Sequence, residues 1–137
     1  MSAQPFRVLP RLDDTNREFW TAGERGELRF WRCQSDGFWI HPPTPRCPRC
    51  LSDDIAIETV NGRGVVHSFT VNHQPWNPTM PERYVIALVQ LDEQDGLRLM
   101  TNLVDVEPDD VRIDMPVEVT FEKYDDTWLP MFRPVPS

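Results

Sequence analysis

No cysteine lies outside residues 33–50 of this 137-residue chain, and there are only three in all. An odd, clustered set excludes a disulfide framework and points to a reducing cytoplasm. Nothing approaches the roughly 20 consecutive apolar residues of a membrane helix. Met1 to Pro10 has no apolar centre of the kind a secretory leader carries, so a soluble, untargeted protein is expected. Basic residues are scarce in the second half: residues 64–137 hold five against thirteen acidic ones, while residues 1–63 balance at nine each, which leaves a net charge of -8. Nucleic-acid binding needs a basic stripe that displaces counterions, and this half has the opposite sign. Any basic contact surface belongs mainly to the first half. Catalytic signatures are missing too: there is no Gly-x-Ser-x-Gly elbow, phosphate-cradling glycine loop or His-Glu-x-x-His helix. The carboxylates of Asp105 to Asp114 read as a solvated loop and helix terminus rather than an acid/base pair. The chain reads as something other than a complete enzyme, and it has no internal repeats.

What is present is more specific. Cys33-x2-Asp36 and Cys47-x2-Cys50 are two knuckle-like pairs a hairpin apart, the spacing of a zinc ribbon, with an aspartate where a fourth thiolate is expected. Carboxylate oxygen is a harder, less usual partner for zinc than thiolate. Asp36 is the candidate fourth ligand, although Ser35-Asp36-Gly37 is also an ordinary turn. His41 competes for the role, but the two prolines after it and its place on a hairpin strand favour a packed residue. The bland alternative is three unrelated buried thiols.

Around the knuckles the elements follow from local chemistry. Asp13-Asp14-Thr15-Asn16 offers several possible N-caps, and Thr15 and Glu18 have the spacing of a capping box, ahead of a short helix that carries Phe19 and Trp20 and ends at Gly23 and Gly26. So short a helix depends on packing. Leu28 to Arg32 and Gly37 to Ile40 form the first hairpin, and His41 to Pro45 is expected to be extended. Ile55, Ile57 and Thr59 alternate along the next strand, before the turn cluster Asn61 to Gly64. From Val65 onward the pattern is of short antiparallel strands. Period-2 alternation puts Val65, His67, Phe69, Val71 and His73 on one face, so that the two histidines share it. Tyr84 to Leu91 is apolar and reads as central, Glu93 to Gly96 as a hairpin loop, and Glu107 to Arg112 as a helical turn. Val117, Val119 and Phe121 alternate along a further strand, and the proline-rich Leu129 to Val135 reads as an edge strand or a tail lying on a partner. The fold class expected is mainly β: an N-terminal segment with a short helix (1–27), a zinc ribbon (28–60) and a five-stranded OB-fold barrel with its tail (61–137).

Two features point outward. The loop from His73 through Trp76 and Met80 to Pro81 is stiff and apolar, either an anchor for a partner or a cover over one barrel end. With Phe19, Trp20, Phe30, Trp31, Phe38 and Trp39 it amounts to more aromatic surface than one small chain hides. A single-stranded nucleic-acid module is the rival reading, since ribbons and OB folds both stack bases on aromatics, but the acidic second half opposes it.

Taken in order, these features resemble a known family that joins a rubredoxin-like zinc ribbon to an OB fold, long catalogued as a domain of unknown function and associated with acyl-CoA enzymes. The matching residues are Phe19-Trp20 with Gly26-x-Leu28, Pro42-Pro43-x-Pro45-x-Cys47-Pro48-x-Cys50, and Gly62-Arg63-Gly64-Val65-Val66-x-Ser68-Phe69-Thr70. They continue through Tyr84 to Val89, Leu99 to Val104, and Pro108-x-Asp110-Val111-x-Ile113-x-Met115-x-Val117, so the likeness runs over residues 17–133. The resemblance implies an accessory subunit, cytoplasmic, that sits against a thiolase-like protein or an enoyl-CoA hydratase-like domain and helps form an acyl-CoA site. It is nearest to partners of lipid-transfer-type thiolases that run a retro-aldol cleavage in steroid side-chain degradation. It implies zinc as the metal, with a family cysteine where this chain has Asp36, and it leaves catalytic residues to the partner. Phe19, Trp20, Arg63, His73 and Trp76 are then the candidate contacts to partner or acyl-CoA. Neither nucleic acid nor membrane is an expected partner.

Overall fold

Leu28, Phe30, Trp31 and Cys33 turn inward from a six-residue strand, and the rest of the ribbon is arranged around them. The computed structural model describes residues 7–74, 78–79 and 83–136. Strand β1 (Leu28–Cys33) is the centre of a three-stranded antiparallel sheet, flanked by β2 (Trp39–Ile40) and β3 (Ile55–Val60). Its full length pairs with β3, from Leu28 opposite Val60 to Cys33 opposite Ile55. The expected return strand shrinks to Trp39–Ile40. The chain after it does not run straight: it bends at His41–Pro42, where the peptide bond is cis, and again at Pro45–Arg46.

The five remaining strands close a barrel in the order β4 (Arg63–Asn72), β5 (Tyr84–Leu91), β6 (Arg98–Leu103), β8 (Thr127–Pro134), β7 (Pro116–Tyr124). This is the mainly β architecture expected, with one short helix, a ribbon and a five-stranded barrel. A single-turn 3-10 helix, Pro108–Asp110, occupies the Glu107 to Arg112 segment. One apolar core runs from Phe19 and Phe30 through Val66, Val89 and Val117 to Phe132. Each of these side chains contributes about 1.5–3 kcal/mol by leaving water.

Several local expectations are corrected. The helix α1 (Arg17–Thr21) has no Thr15–Glu18 capping box. Asp13 closes the turn ahead of the helix instead: its carboxylate accepts the N–H groups of Thr15 (2.8 Å) and Asn16 (2.9 Å), and its carbonyl accepts the first helical N–H, that of Arg17. An aspartate folded onto its own following backbone satisfies the free donors first. That leaves Glu18 to pair with Arg29 of β1 at 2.8 Å. The helix also continues as a 3-10 turn, Ala22–Arg25, and stops at Gly26, which is left-handed with φ 73°. Gly23 is no terminator. It is the point where the 3-10 turn after α1 touches the barrel, since a Cβ there would lie 2.5 Å from Phe121 Cδ1 and 2.7 Å from Trp128 Cβ.

In β4 a bulge lies between Val66, opposite Val89, and Ser68, opposite Leu88, with His67 as the extra residue. The inward set therefore changes phase, from Gly64 and Val66 to Phe69 and Val71. His67 is exposed and His73 lies beyond the strand, also exposed, so the two histidines share no face. The C-terminal strand is neither edge nor tail. β8 sits between β6 and β7, pairs with β7 from Thr127 to Pro134, and buries Met131 and Phe132. Its prolines are tolerated because the seam with β6 is sparse: one parallel pair, Leu103 with Phe132, and one side-chain bond from Thr101.

Candidate metal centre and the cleft beside it

Cys33 ends β1, Asp36 lies in the turn that follows, and Cys47 and Cys50 flank a second turn. The four donor atoms lie within 4.8 Å of one another. Cys33 Sγ is 3.5 Å from Cys50 Sγ, and Cys47 Sγ is 3.7 Å from each oxygen of Asp36. Zn–S bonds near 2.3 Å in a tetrahedron space two sulfurs by about 3.8 Å, so three thiolates and a carboxylate here fit a four-coordinate, zinc-type ion. Local dipoles set the charges. The Phe38 N–H, 3.0 Å away, and the neighbouring thiols hold the Asp36 carboxyl below its ordinary range. Burial raises the Cys47 thiol, but the N–H groups of Cys50 and Arg49 outweigh it, and the net shift is downward. The Ser52 N–H favours the Cys50 thiolate, yet burial and the Cys33 and Cys47 sulfurs prevail and push that thiol up to about 11.

His41 stays outside this cluster. It is wedged among aromatic rings, 4.9 Å from Phe30, 5.7 Å from Phe19 and 6.1 Å from Trp31 between ring centroids. Burial lowers its pKa, and its Nδ1 is buried without a hydrogen-bond partner. It is a packed residue, as its sequence context suggested.

A cleft of about 350 Å³ opens where the helix and ribbon meet the barrel, with Phe19, Trp20 and His41 on one side and Met100, Leu129 and Met131 on the other. Phe19 is only 4% exposed, while Trp20 is half-buried on the cleft wall. Arg63 and His73 fall at opposite ends of β4, whose ten residues span roughly 30 Å, so the fold does not gather them with the helix pair. Trp76, together with Pro75, Met80 and Pro81, lies outside the described residues. The expected aromatic surplus is largely absorbed: Phe19, Phe30, Trp31 and Trp39 are core residues, and Trp31 Nε1 donates to the Thr15 carbonyl at 3.2 Å. Arg32 covers Trp39 and Arg49 covers Phe38, at 4.6 and 5.2 Å from the ring centroids.

The apolar surface that does face out is aliphatic. Met100 is 70% exposed and stands opposite Leu88, with Ile86 beside it on the outer face of β5. A solvated outer face would carry polar residues there. Neither Met100 nor the cleft residues Leu129 and Met131 were singled out by sequence reasoning. The available signal was the strand alternation itself, which turns Ile86, Leu88 and Met100 outward once the phase of β5 is known. Among the described residues, no helix is long and apolar enough to cross a membrane.

A ribbon whose hairpin leads into a five-stranded barrel defines a two-module class, and comparison with known proteins identifies which one. Residues 20–56 match the ChsH2 rubredoxin-like zinc ribbon domain and residues 58–122 the ChsH2 C-terminal OB-fold domain. The chain belongs to this ChsH2-type family, the DUF35 proteins. It is 33% identical over 120 residues to a "DUF35 domain-containing scaffold protein" of Pyrococcus furiosus, covering 82% of this chain and 86% of that one. It is 39% identical over 130 residues, 94% of its length, to a "Probable enoyl-CoA hydratase alpha subunit" of Thermomonospora curvata. Identity is 38% over 116 residues, 85% of its length, to the "3-oxo-4,17-pregnadiene-20-carboxyl-CoA hydratase alpha subunit" of Mycobacterium tuberculosis. The chain spans 40% and 36% of those two alpha subunits. Among solved structures it superposes on a chain of the "Ltp2-ChsH2(DUF35) aldolase" with a TM-score of 0.81 and 37% identity, covering 92% of this chain and 98% of that one.

Proposed function

We propose that this chain is a non-catalytic accessory subunit that binds a thiolase-superfamily enzyme, a retro-aldolase acting on steroid side-chain acyl-CoA, and helps to form or steady its acyl-CoA site. The observation that carries this reading is the likeness, over nearly the whole of both chains, to a chain of the Ltp2-ChsH2(DUF35) aldolase. The aliphatic outer face around Met100 and the adjoining cleft with Trp20 supply the kind of surface such a partner would cover. In this assembly the carbon–carbon cleavage belongs to the partner. This chain excludes water from one side of the acyl group and fixes the partner's loops. CoA phosphates call for guanidinium donors. Arg29 and Arg32 are already engaged with Glu18 and Glu58, so Arg46, Arg49 and Arg63 are the candidates of this chain for that contact.

The ribbon holds zinc in this reading, through the thiolates of Cys33, Cys47 and Cys50 and the carboxylate of Asp36. Four protein ligands leave no open coordination position, so the ion would cross-link the knuckles rather than react.

The test is co-expression with a thiolase-like protein from the same genome, followed by gel filtration and an aldol-cleavage assay on the co-eluting complex. Two proteins that elute separately, each unaffected by the other, sink the proposal. The two hydratase alpha subunits favour a second reading, in which the same adaptor serves an enoyl-CoA hydratase-like enzyme. Pull-down from the native host separates the two by the protein recovered.

A further inference from the structure

The two knuckles of the ribbon are tied together by bonds that involve no metal. The Gln34 N–H donates to the Asp54 carbonyl at 2.8 Å and the Ser35 hydroxyl to that of Ser52 at 2.9 Å, both reaching from the first knuckle to the segment after the second, while the Cys47 N–H closes the second knuckle on the Ser52 carbonyl at 2.8 Å. Behind them Phe30, Trp31, Trp39 and the buried ligands Cys33 and Cys47 belong to the apolar core that continues into the barrel. Small metal domains that lack such packing are unfolded without their ion, so metal binding is their folding energy. Here the ligands sit within that packing and those bonds as well.

The ligands are also unequal in exposure. Cys33 and Cys47 are buried, whereas Asp36 and Cys50 face solvent, so the cluster is open to water on that side. One of those two solvent-facing ligands is a carboxylate, the harder donor and the poorer match for a borderline-soft ion such as zinc.

We infer that the ribbon is a preformed, exchangeable site for a thiophilic divalent cation, in which the exposed Asp36 is the ligand that detaches, and that the metal comes and goes while the core and the outer barrel face stay folded. The inference rests on the reading above that Cys33, Asp36, Cys47 and Cys50 are the ligands. Occupancy then follows the supply of zinc, and partner binding does not.

The test uses the full chain, reduced and stripped with a chelator. Near-ultraviolet circular dichroism reports Trp31 and Trp39, cobalt spectroscopy reports thiolate ligation, and transfer of zinc to a chromophoric chelator reports exchange. The stripped protein should keep its aromatic signal and a cooperative melt, and take up one equivalent of zinc or cobalt. Asp36→Cys should slow zinc transfer and tighten binding by about tenfold or more, with Asp36→Ala shifting affinity the other way. Asp36 is exposed, so neither variant threatens folding. Loss of the aromatic signal on stripping overturns the inference, as does an unchanged affinity and transfer rate in both Asp36 variants. Failure of the reduced wild-type protein to bind either metal is a different result: it removes the four-ligand reading itself.

Discussion

The Thr101 hydroxyl donates to the carbonyl of Pro130 at 2.9 Å, where β6 and β8 run side by side with a single backbone pair between them. Thr101 is 8% exposed, so that carbonyl has little access to water. Replacement by valine keeps the shape and deletes the donor. Leaving a buried acceptor unsatisfied costs about 1–3 kcal/mol. Thr101→Val should therefore lower the unfolding midpoint in urea without changing the slope of the transition. A midpoint equal to wild type would show that the seam does not depend on this bond.

Gly23 gives a second stability prediction whose sign runs against helix propensity. Alanine favours a helix over glycine by about 1 kcal/mol. Yet its Cβ would meet Phe121 and Trp128, the latter at its own Cβ, which cannot swing away. Overpacking of this kind costs about 1–3 kcal/mol. Gly23→Ala should destabilise, with the change visible in the melting temperature, whereas Gly26→Ala meets nothing within 4 Å and suffers only from its φ of 73°. If Gly23→Ala raised the melting temperature, the close docking of the 3-10 turn on the barrel would be wrong.

The partner surface is tested at Met100. Its side chain is 70% exposed, so Met100→Asp should change stability by no more than about 0.5 kcal/mol. A charge placed in the centre of an apolar contact is a different matter, and loss of a central anchor costs about 2 kcal/mol or more in binding. The variant should fold as wild type and fail to co-elute with the thiolase-like partner. A complex of unchanged affinity would move the interface to another face.

Much of this protein could be read from its residues, for identifiable reasons. The ribbon is legible because ligand spacing and the prolines before Cys47 constrain the chain locally. The barrel is legible because alternation of apolar residues is a local pattern as well. What escaped depends on single-residue phase or on contacts distant in sequence. The bulge at His67 reverses which side chains face inward without leaving a compositional trace. Asp13 takes the Thr15 N–H that Glu18 would have accepted in a capping box, and so folds the chain into a turn ahead of the helix. Pro130 and Pro134 suggested an exposed strand, but the seam with β6 makes few backbone bonds, so little is lost by their missing donors. The cleft arises only when α1 meets β6 and β8, and no pattern within either segment announces it.

His41 links that cleft to pH. Its ring lies among Phe19, Phe30 and Trp31, none of which carries a charge, and burial lowers its pKa in the folded state. The unfolded chain therefore binds a proton more readily than the folded one. Stability is fully present above the unfolded value of about 6.5 and is lost as pH falls from there toward the lower folded pKa. Melting at pH 7.5 and again at pH 5.5 should show a drop in wild type that is smaller in His41→Leu, whose side chain cannot charge. The carboxylates contribute equally to both proteins in that window, so the difference between the two drops isolates the imidazole. Equal drops would mean that the ring already finds a proton acceptor when folded, and that its buried Nδ1 is satisfied by solvent.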